Sequence, residues 1–140
     1  MSYKLSDFKV GQTAYVMSWG DAARRIGRDN IEALVQPCVV KSIGRKYIVA
    51  GSPNGDWNDH KYEENQHGCF IGLPEHSTYS VNNVLYPERQ PPIDELKKKK
   101  LWSLCVEKMR YTDLRTLGLS LSQVQQIAEI LGVETEVNHL

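Results

Sequence analysis

The sequence predicts an α+β protein: a small antiparallel β-barrel over residues 1–90, followed by a C-terminal helical pair over residues 91–140. Three observations carry this. Short β-branched and aromatic runs recur between turn signals before Pro87. The apolar period changes from 2 to 3.6 after Pro92. Residues 34–50 read as two strand-forming runs hinged at Gly44, and this hairpin is the expected centre of the barrel.

Taken in order, residues 3–17 carry a turn at Gly11 and then Thr13-Ala14-Tyr15-Val16-Met17, which fits a first strand with Phe8 and Val10 plugging one end of the barrel. Residues 18–33 are too long for a minimal hairpin turn and are expected as a long loop holding Trp19, Arg24, Arg25 and Arg28. In the hairpin, Gly44 is expected to supply the positive φ of a tight turn or bulge between Ile43 and Arg45-Lys46. Pro53-Asn54-Gly55-Asp56 signals a turn, with short strands expected over 57–62 and 69–71. Asn83-Val84-Leu85-Tyr86 fits a last strand.

Pro91-Pro92 cannot continue a ladder but suits a helix start, and Asp94 and Glu95 complement the helix dipole in the first turn, so a helix is expected from about Pro92 to Arg110. Four consecutive lysines, 97–100, go all the way round such a helix and cannot form a one-faced basic stripe. Leu119 to Gly132 is the cleanest local unit. Ser120 with Gln123 makes a capping box, Leu119 against Val124 a hydrophobic staple, and Gly132 stands where a left-handed cap is wanted. Leu121, Val124, Ile127, Ala128 and Leu131 share one face, which needs the barrel, the longer helix or a second copy of the chain to cover it.

A chain of 140 residues, 41% hydrophobic, can bury one real core. Its 17 basic and 17 acidic residues cancel, which removes any global argument for a polyanion partner. The balance is uneven along the chain: eight Lys/Arg against four Asp/Glu over 1–50 (+4), two against six over 51–90 (−4), and seven against seven over 91–140. A basic first third facing an acidic partner follows. Cys38, Cys69 and Cys105, odd in number and set among apolar neighbours, read as reduced core residues of a cytoplasmic protein. With no N-terminal apolar region and no apolar run near 18 residues, neither export nor a membrane contact is expected.

Chemistry-bearing motifs are sparse. The histidines and serines show no nucleophile elbow, triad order or paired carboxylates, and no glycine-rich phosphate cradle occurs, so no enzyme and no cofactor are expected. His60, His67 and Cys69 are zinc-type ligands, but a structural site needs four ligands, usually in close pairs, so no metal is expected. Tryptophan and arginine dominate buried interfaces, which makes Trp19, Arg24, Arg25 and Arg28, joined by Arg45 and Lys46 of the hairpin turn, the candidate partner-binding residues. The structural alternative pairs Arg24 or Arg25 with Asp21, Asp29 or Glu32 and folds Trp19 over the core.

The order of Phe8-Lys9-Val10-Gly11-Gln12, Tyr15-Val16, Ala23-Arg24-Arg25, Ile43 to Ile48 and Leu85-Tyr86 before an acidic helix start resembles a set of small proteins of phages and prophages of Gram-positive bacteria. The resemblance spans most of the chain and departs over residues 72–83 and at Pro91-Pro92. It implies an SH3-like β-barrel and a cytoplasmic accessory protein of a mobile element, and brings no catalytic residues. Two expectations follow. In the first, the protein binds and blocks a host protein of a defence system such as a CRISPR or restriction nuclease. In the alternative, the barrel is a nucleic-acid module, with Arg24, Arg25, Arg28, Arg45 and Lys46 on phosphates and Trp19 or Tyr47 stacking on bases. A homodimer through the C-terminal helices is compatible with either.

Overall fold

The computed structural model describes residues 2–27, 30–64, 70–77 and 80–133. Six strands, β1 (Thr13–Ser18), β2 (Val35–Ile43), β3 (Tyr47–Gly51), β4 (His60–Glu63), β5 (Leu73–Pro74) and β6 (Asn83–Tyr86), form one antiparallel sheet in the order β4-β3-β2-β1-β6-β5. Tyr62 bridges Glu75, which brings the β4 edge to β5 and nearly closes the sheet into a barrel. Residues 1–100 and 101–140 are two compact units.

Side chains alternate across a strand, and both faces of this sheet are covered. One parity points into the barrel: Ala14 and Val16, Cys38 and Val40, Ile48 and Ala50, Tyr62, Leu73 and Leu85. The other parity, Met17, Val35, Val84 and Tyr86, packs outside with Ala23, Leu34, Ile93 and Leu96, under helices α1 (Gly20–Ile26) and α2 (Ile31–Leu34) and the first two turns of α3 (Gln90–Tyr111). That double cover is why the strands read as near-continuous apolar runs.

The end of the barrel where β1 begins is stoppered. A 3-10 turn over Leu5–Asp7 delivers Phe8 into the core, only 4% exposed, and Gly11 N–H donates to the Val40 carbonyl at 2.8 Å. Val10 takes no part in the plug: at 64% exposed it faces solvent.

The hairpin, the last strand and both main helices lie where the sequence places them, with α3 starting two residues early. The differences are local. Residues 18–33 are not a loop, because α1 and α2 occupy most of them; the Asn30 side chain caps α2 by accepting from Ala33 N–H at 3.3 Å. Gly44 keeps a negative φ, and the turn closes through its N–H on the Tyr47 carbonyl at 2.8 Å. The irregularity of the hairpin falls earlier, at Val40/Ser42, where the register shifts. The strand expected over 57–62 begins at His60, and the next is Leu73–Pro74, not 69–71. Cys38 is buried and free, but Cys105 is free and exposed rather than in a core, and Cys69 lies outside the described residues.

In the second unit α3 runs on to Tyr111, followed by α4 (Leu114–Leu117) and α5 (Leu121–Leu131). The expected capping box is present: Ser120 Oγ accepts from Gln123 N–H at 3.2 Å, and Gln123 Oε1 accepts from Ser120 N–H at 2.9 Å. Gly132 ends α5 at φ 72°.

Candidate functional site

The residues expected to form one contact site are divided between the two ends of the sheet. Trp19 stands at the N-cap of α1, beside the C-terminal end of β1, with Arg24 and Arg25 in the last turn of that helix. Arg45 and Lys46 lie on the turn after β2, whose far end, Ile43, is eight residues beyond Val35, roughly 26 Å along an extended strand. Arg28 lies outside the described residues. Trp19 is half-buried: its ring meets Phe70 edge-on at 5.4 Å, Lys99 Nζ sits 3.7 Å from its centroid, and its backbone N–H donates to the Asn82 carbonyl at 2.8 Å. It therefore ties together α1, α3 and the segment before β6. Arg24 lies 3.5 Å from Asp21, both side chains some 70% exposed, an ion pair of the kind that contributes little to stability. Arg25 is exposed.

At the β2–β3 turn the aromatic is Tyr47, with the Lys46 and Lys61 ammonium groups each 5.4 Å from its ring centre and the His76 ring at 5.1 Å. The patch is of mixed sign, because His76 Nδ1 lies 3.3 Å from Glu63 Oε2, and Glu63 and Glu64 line a small hollow with Leu5, Arg45 and Lys46.

The other end of the barrel, opposite the Phe8 plug, is open, and sequence reading missed it. Following the inward parity outward along each strand reaches Ser18 after Val16, Gln36 before Cys38, His60 before Tyr62 and Asn83 before Leu85. These polar residues converge on a cavity of about 220 Å³ whose lining is completed by Val16 and Trp57. The Trp57 and His60 rings lie near-parallel, 25° apart with centroids at 6.4 Å. The signal was available in that parity: one polar residue at the same end of each inward-facing run.

Glu75 braces this mouth. Its side chain is 11% exposed, and its Oε1 accepts from the backbone N–H groups of Asn82 at 2.6 Å and Asn83 at 3.1 Å, while its Oε2 accepts from Asn83 Nδ2 at 3.3 Å and lies 3.8 Å from His60 Nδ1. Gln36 donates its Nε2 to the Ala33 carbonyl at 3.1 Å. Both amides thus spend a nitrogen on the scaffold, and neither oxygen accepts a bond among the described residues. The mouth offers several acceptors and an aromatic face, and among the described residues no lysine or arginine lines it.

Deeper in, burial pushes the Cys38 thiol up to about 12 and raises both the Tyr62 and Tyr86 hydroxyls, so all three stay protonated at neutral pH. Among the described residues Tyr62 Oη has no hydrogen-bond partner. Of the zinc-type trio only His60 is described; His67 and Cys69 lie outside the described residues, and among those residues no group of three or more His, Cys, Asp or Glu could hold a metal ion. Among the described residues no helix is long and apolar enough to cross a membrane.

Residues 1–136 match the family model described as the phage ProQ C-terminal-like domain. No curated protein and no solved structure matches the chain.

Proposed function

The chain belongs to the phage ProQ C-terminal-like domain family, and on that premise we propose that it acts by binding rather than by catalysis, as a phage accessory protein that holds and blocks a host protein of a bacterial defence system in the host cytoplasm. The observation that carries this reading is the surface of residues 101–133. Ten of the twelve exposed large hydrophobic side chains among the described residues lie there, including Trp102 at 56%, Met109 at 54% and Tyr111 at 77% exposed. Trp102, Val106, Arg110 and Tyr111 line one shallow groove along α3. Aromatic side chains, methionine and arginine are the types that protein interfaces concentrate. Charge over the same stretch is balanced, Lys108, Arg110 and Arg115 against Glu107, Asp113 and Glu129, which suits a protein surface and gives a phosphate backbone no grip.

The test is capture of the tagged protein from its host, read by mass spectrometry, beside Trp102→Glu/Met109→Glu and Arg24→Ala/Arg25→Ala. The expected result is one host protein in stoichiometric amount, lost with the α3 double change and kept with the arginine change, all three proteins melting alike. Capture unaffected by the α3 change moves the surface elsewhere. A particle of twice the 16.0 kDa chain mass that the α3 change dissociates gives the surface to a second copy of the chain instead.

Tyr47 between Lys46 and Lys61, with Arg45 beside it, favours a second reading as a nucleic-acid contact. A salt titration with single-stranded and duplex DNA and RNA decides: tight binding that falls steeply with salt and is lost in Lys46→Ala/Lys61→Ala puts this reading first.

A further inference from the structure

We propose that the open mouth of the barrel is a binding site for a guanidinium group, the side chain of an arginine seated on Trp57 with its N–H groups donated to Gln36, Asn83 and Ser18. The chemistry of the lining selects this class of ligand. Asn83 and Gln36 each hold one amide N–H on the scaffold, on Glu75 and on the Ala33 carbonyl, which orients Oδ1 and Oε1 as acceptors. Ser18, 7% exposed and two residues along the same inward parity from Val16, adds a hydroxyl that also accepts. A ligand that satisfies three acceptors must be rich in donors, and a guanidinium offers five in one plane with no acceptor of its own.

That plane also needs a flat partner. Trp57 is the ring type that attracts cations most strongly across its face, and its near-parallel stacking with His60 fixes its orientation. The field has the right sign: behind His60 stands the Glu75 carboxylate, 3.8 Å from its Nδ1, and among the described residues no lysine or arginine lines the cavity. The stretch that supplies Trp57, His60, Glu75 and Asn83 is also the acidic one, two Lys/Arg against six Asp/Glu over residues 51–90. These features count against a phosphate. A nucleobase would present acceptors as well as donors, whereas the rim, with one N–H of each amide already held by the scaffold, is richer in acceptors than in donors. Size agrees, since about 220 Å³ lies below the range of roughly 300–1,000 Å³ typical of cofactor pockets and matches a single side chain.

The site is separate from the apolar helices proposed to hold a host protein, so it stands or falls independently of that reading. The guanidinium is the same whether it belongs to a free metabolite or to an arginine of a protein chain, and two probes distinguish these sources: free arginine, and arginine capped at both ends as Nα-acetyl-arginine methylamide. The measurement is a two-dimensional NMR titration that follows the Trp57 indole N–H, assigned by Trp57→Phe, with the Gln36 and Asn83 side-chain amides. Capped citrulline, the neutral near-isostere, and inorganic phosphate serve as controls.

Saturable shifts confined to these signals are expected with capped arginine, at a Kd of about 1–10 mM for an isolated side chain, and at least tenfold weaker with citrulline. Free arginine binding as well as the capped form assigns the site to the side chain alone; tighter binding of the free amino acid assigns it to a metabolite. Because Trp57 also packs against the core, the decisive variant is Gln36→Lys, at an exposed position, which sets an ammonium in the mouth and is expected to abolish the shifts while leaving Tm unchanged. Absence of saturable shifts up to about ten times that Kd, an equal response to citrulline, or a response to phosphate overturns the proposal.

Discussion

Residues 1–100 and residues 101–133 carry similar kinds of apolar side chain and dispose of them in opposite ways. Every buried hydrophobic side chain among the described residues lies in the first stretch, from Phe8 to Leu96, while Leu101, Trp102, Leu104, Met109, Tyr111, Leu114, Leu121, Ile130, Leu131 and Val133 are all at least half exposed in the second. The reason is geometric. A sheet that closes on itself covers one of its faces with its own side chains, and two short helices with the start of a third cover the other. In the second unit no described side chain of α3, α4 or α5 is buried. A fold can thus be complete in one part of a chain while another part keeps the composition of a core and the exposure of a surface, and the proposed contact with a host protein rests on that exposed part.

The bluntest way to break this comparison is to remove equal amounts of side chain from each part. Leu85 is fully buried between the barrel strands, so Leu85→Ala is expected to cost about 2–5 kcal/mol, enough to unfold much of the protein at 37 °C. Ile130, 83% exposed, is expected to change stability by under about 0.5 kcal/mol when replaced by alanine. Chemical denaturation followed by circular dichroism measures both. A comparable loss from Ile130→Ala would mean that α5 is part of a buried core after all.

What the sequence revealed follows the same division between local and assembled features. The hairpin at 35–51, the strand at 83–86, the helix from Gln90 and the capped helix from Leu121 announce themselves through their own residues: β-branched runs, a proline pair, a Ser-x-x-Gln box. Helices α1 and α2 did not, because seven and four residues are too few to display a helical period, and arginines beside glycines read equally well as loop. The barrel mouth was hidden differently. Ser18, Gln36, Trp57, His60 and Asn83 are each unremarkable and far apart in the chain, and only strand register brings them together. The candidate contact residues are spread for the converse reason: positions 24 and 45 look alike in composition, but one lies in the last turn of α1 before β2 and the other on the turn after it.

Cysteine offers a finer contrast between the two units. Cys38 faces into the barrel with its thiol pushed from 9.0 up to about 12, while Cys105 is exposed on α3. Iodoacetamide at pH 8, followed by peptide mapping, is expected to modify Cys105 within minutes and to leave Cys38 untouched until the protein unfolds, since the thiolate is the nucleophile and burial suppresses it. The same shift sets a sign for alkaline stability. Below pH 9 the Cys38 proton is bound in both states and contributes nothing to the slope. Between pH 9 and about 12 the unfolded chain releases it and the folded chain keeps it, so rising pH favours unfolding. Tyr62 and Tyr86, both raised by burial, add the same sign above pH 10. Tm is therefore expected to fall steadily from pH 9 upward, and Cys38→Ala to flatten the first part of that fall. Equal labelling of the two cysteines at pH 8 would mean that the barrel opens readily.

The smallest expected effect discriminates the two units most finely. Ser120 holds the start of α5 by accepting from Gln123 N–H, and Gln123 answers by accepting from Ser120 N–H. Because no side chain of α5 is fully buried, the helix depends more on this box than a helix locked into a core would. Ser120→Ala removes the hydroxyl and is expected to cost the helix about 1 kcal/mol, an increase of about fivefold in the opening equilibrium of Leu121–Leu131. Amide hydrogen exchange reads this residue by residue: the α5 amides should exchange about fivefold faster, while those of β2 and β3, paired across the hairpin from Val39–Gly51 to Ile43–Ile48, keep their protection. If the strands lose protection in step with α5, the chain unfolds as one cooperative body and the division at Lys100 has no energetic meaning. If only α5 responds, the barrel is stable without the helices, and these are free to order against whatever covers their apolar face.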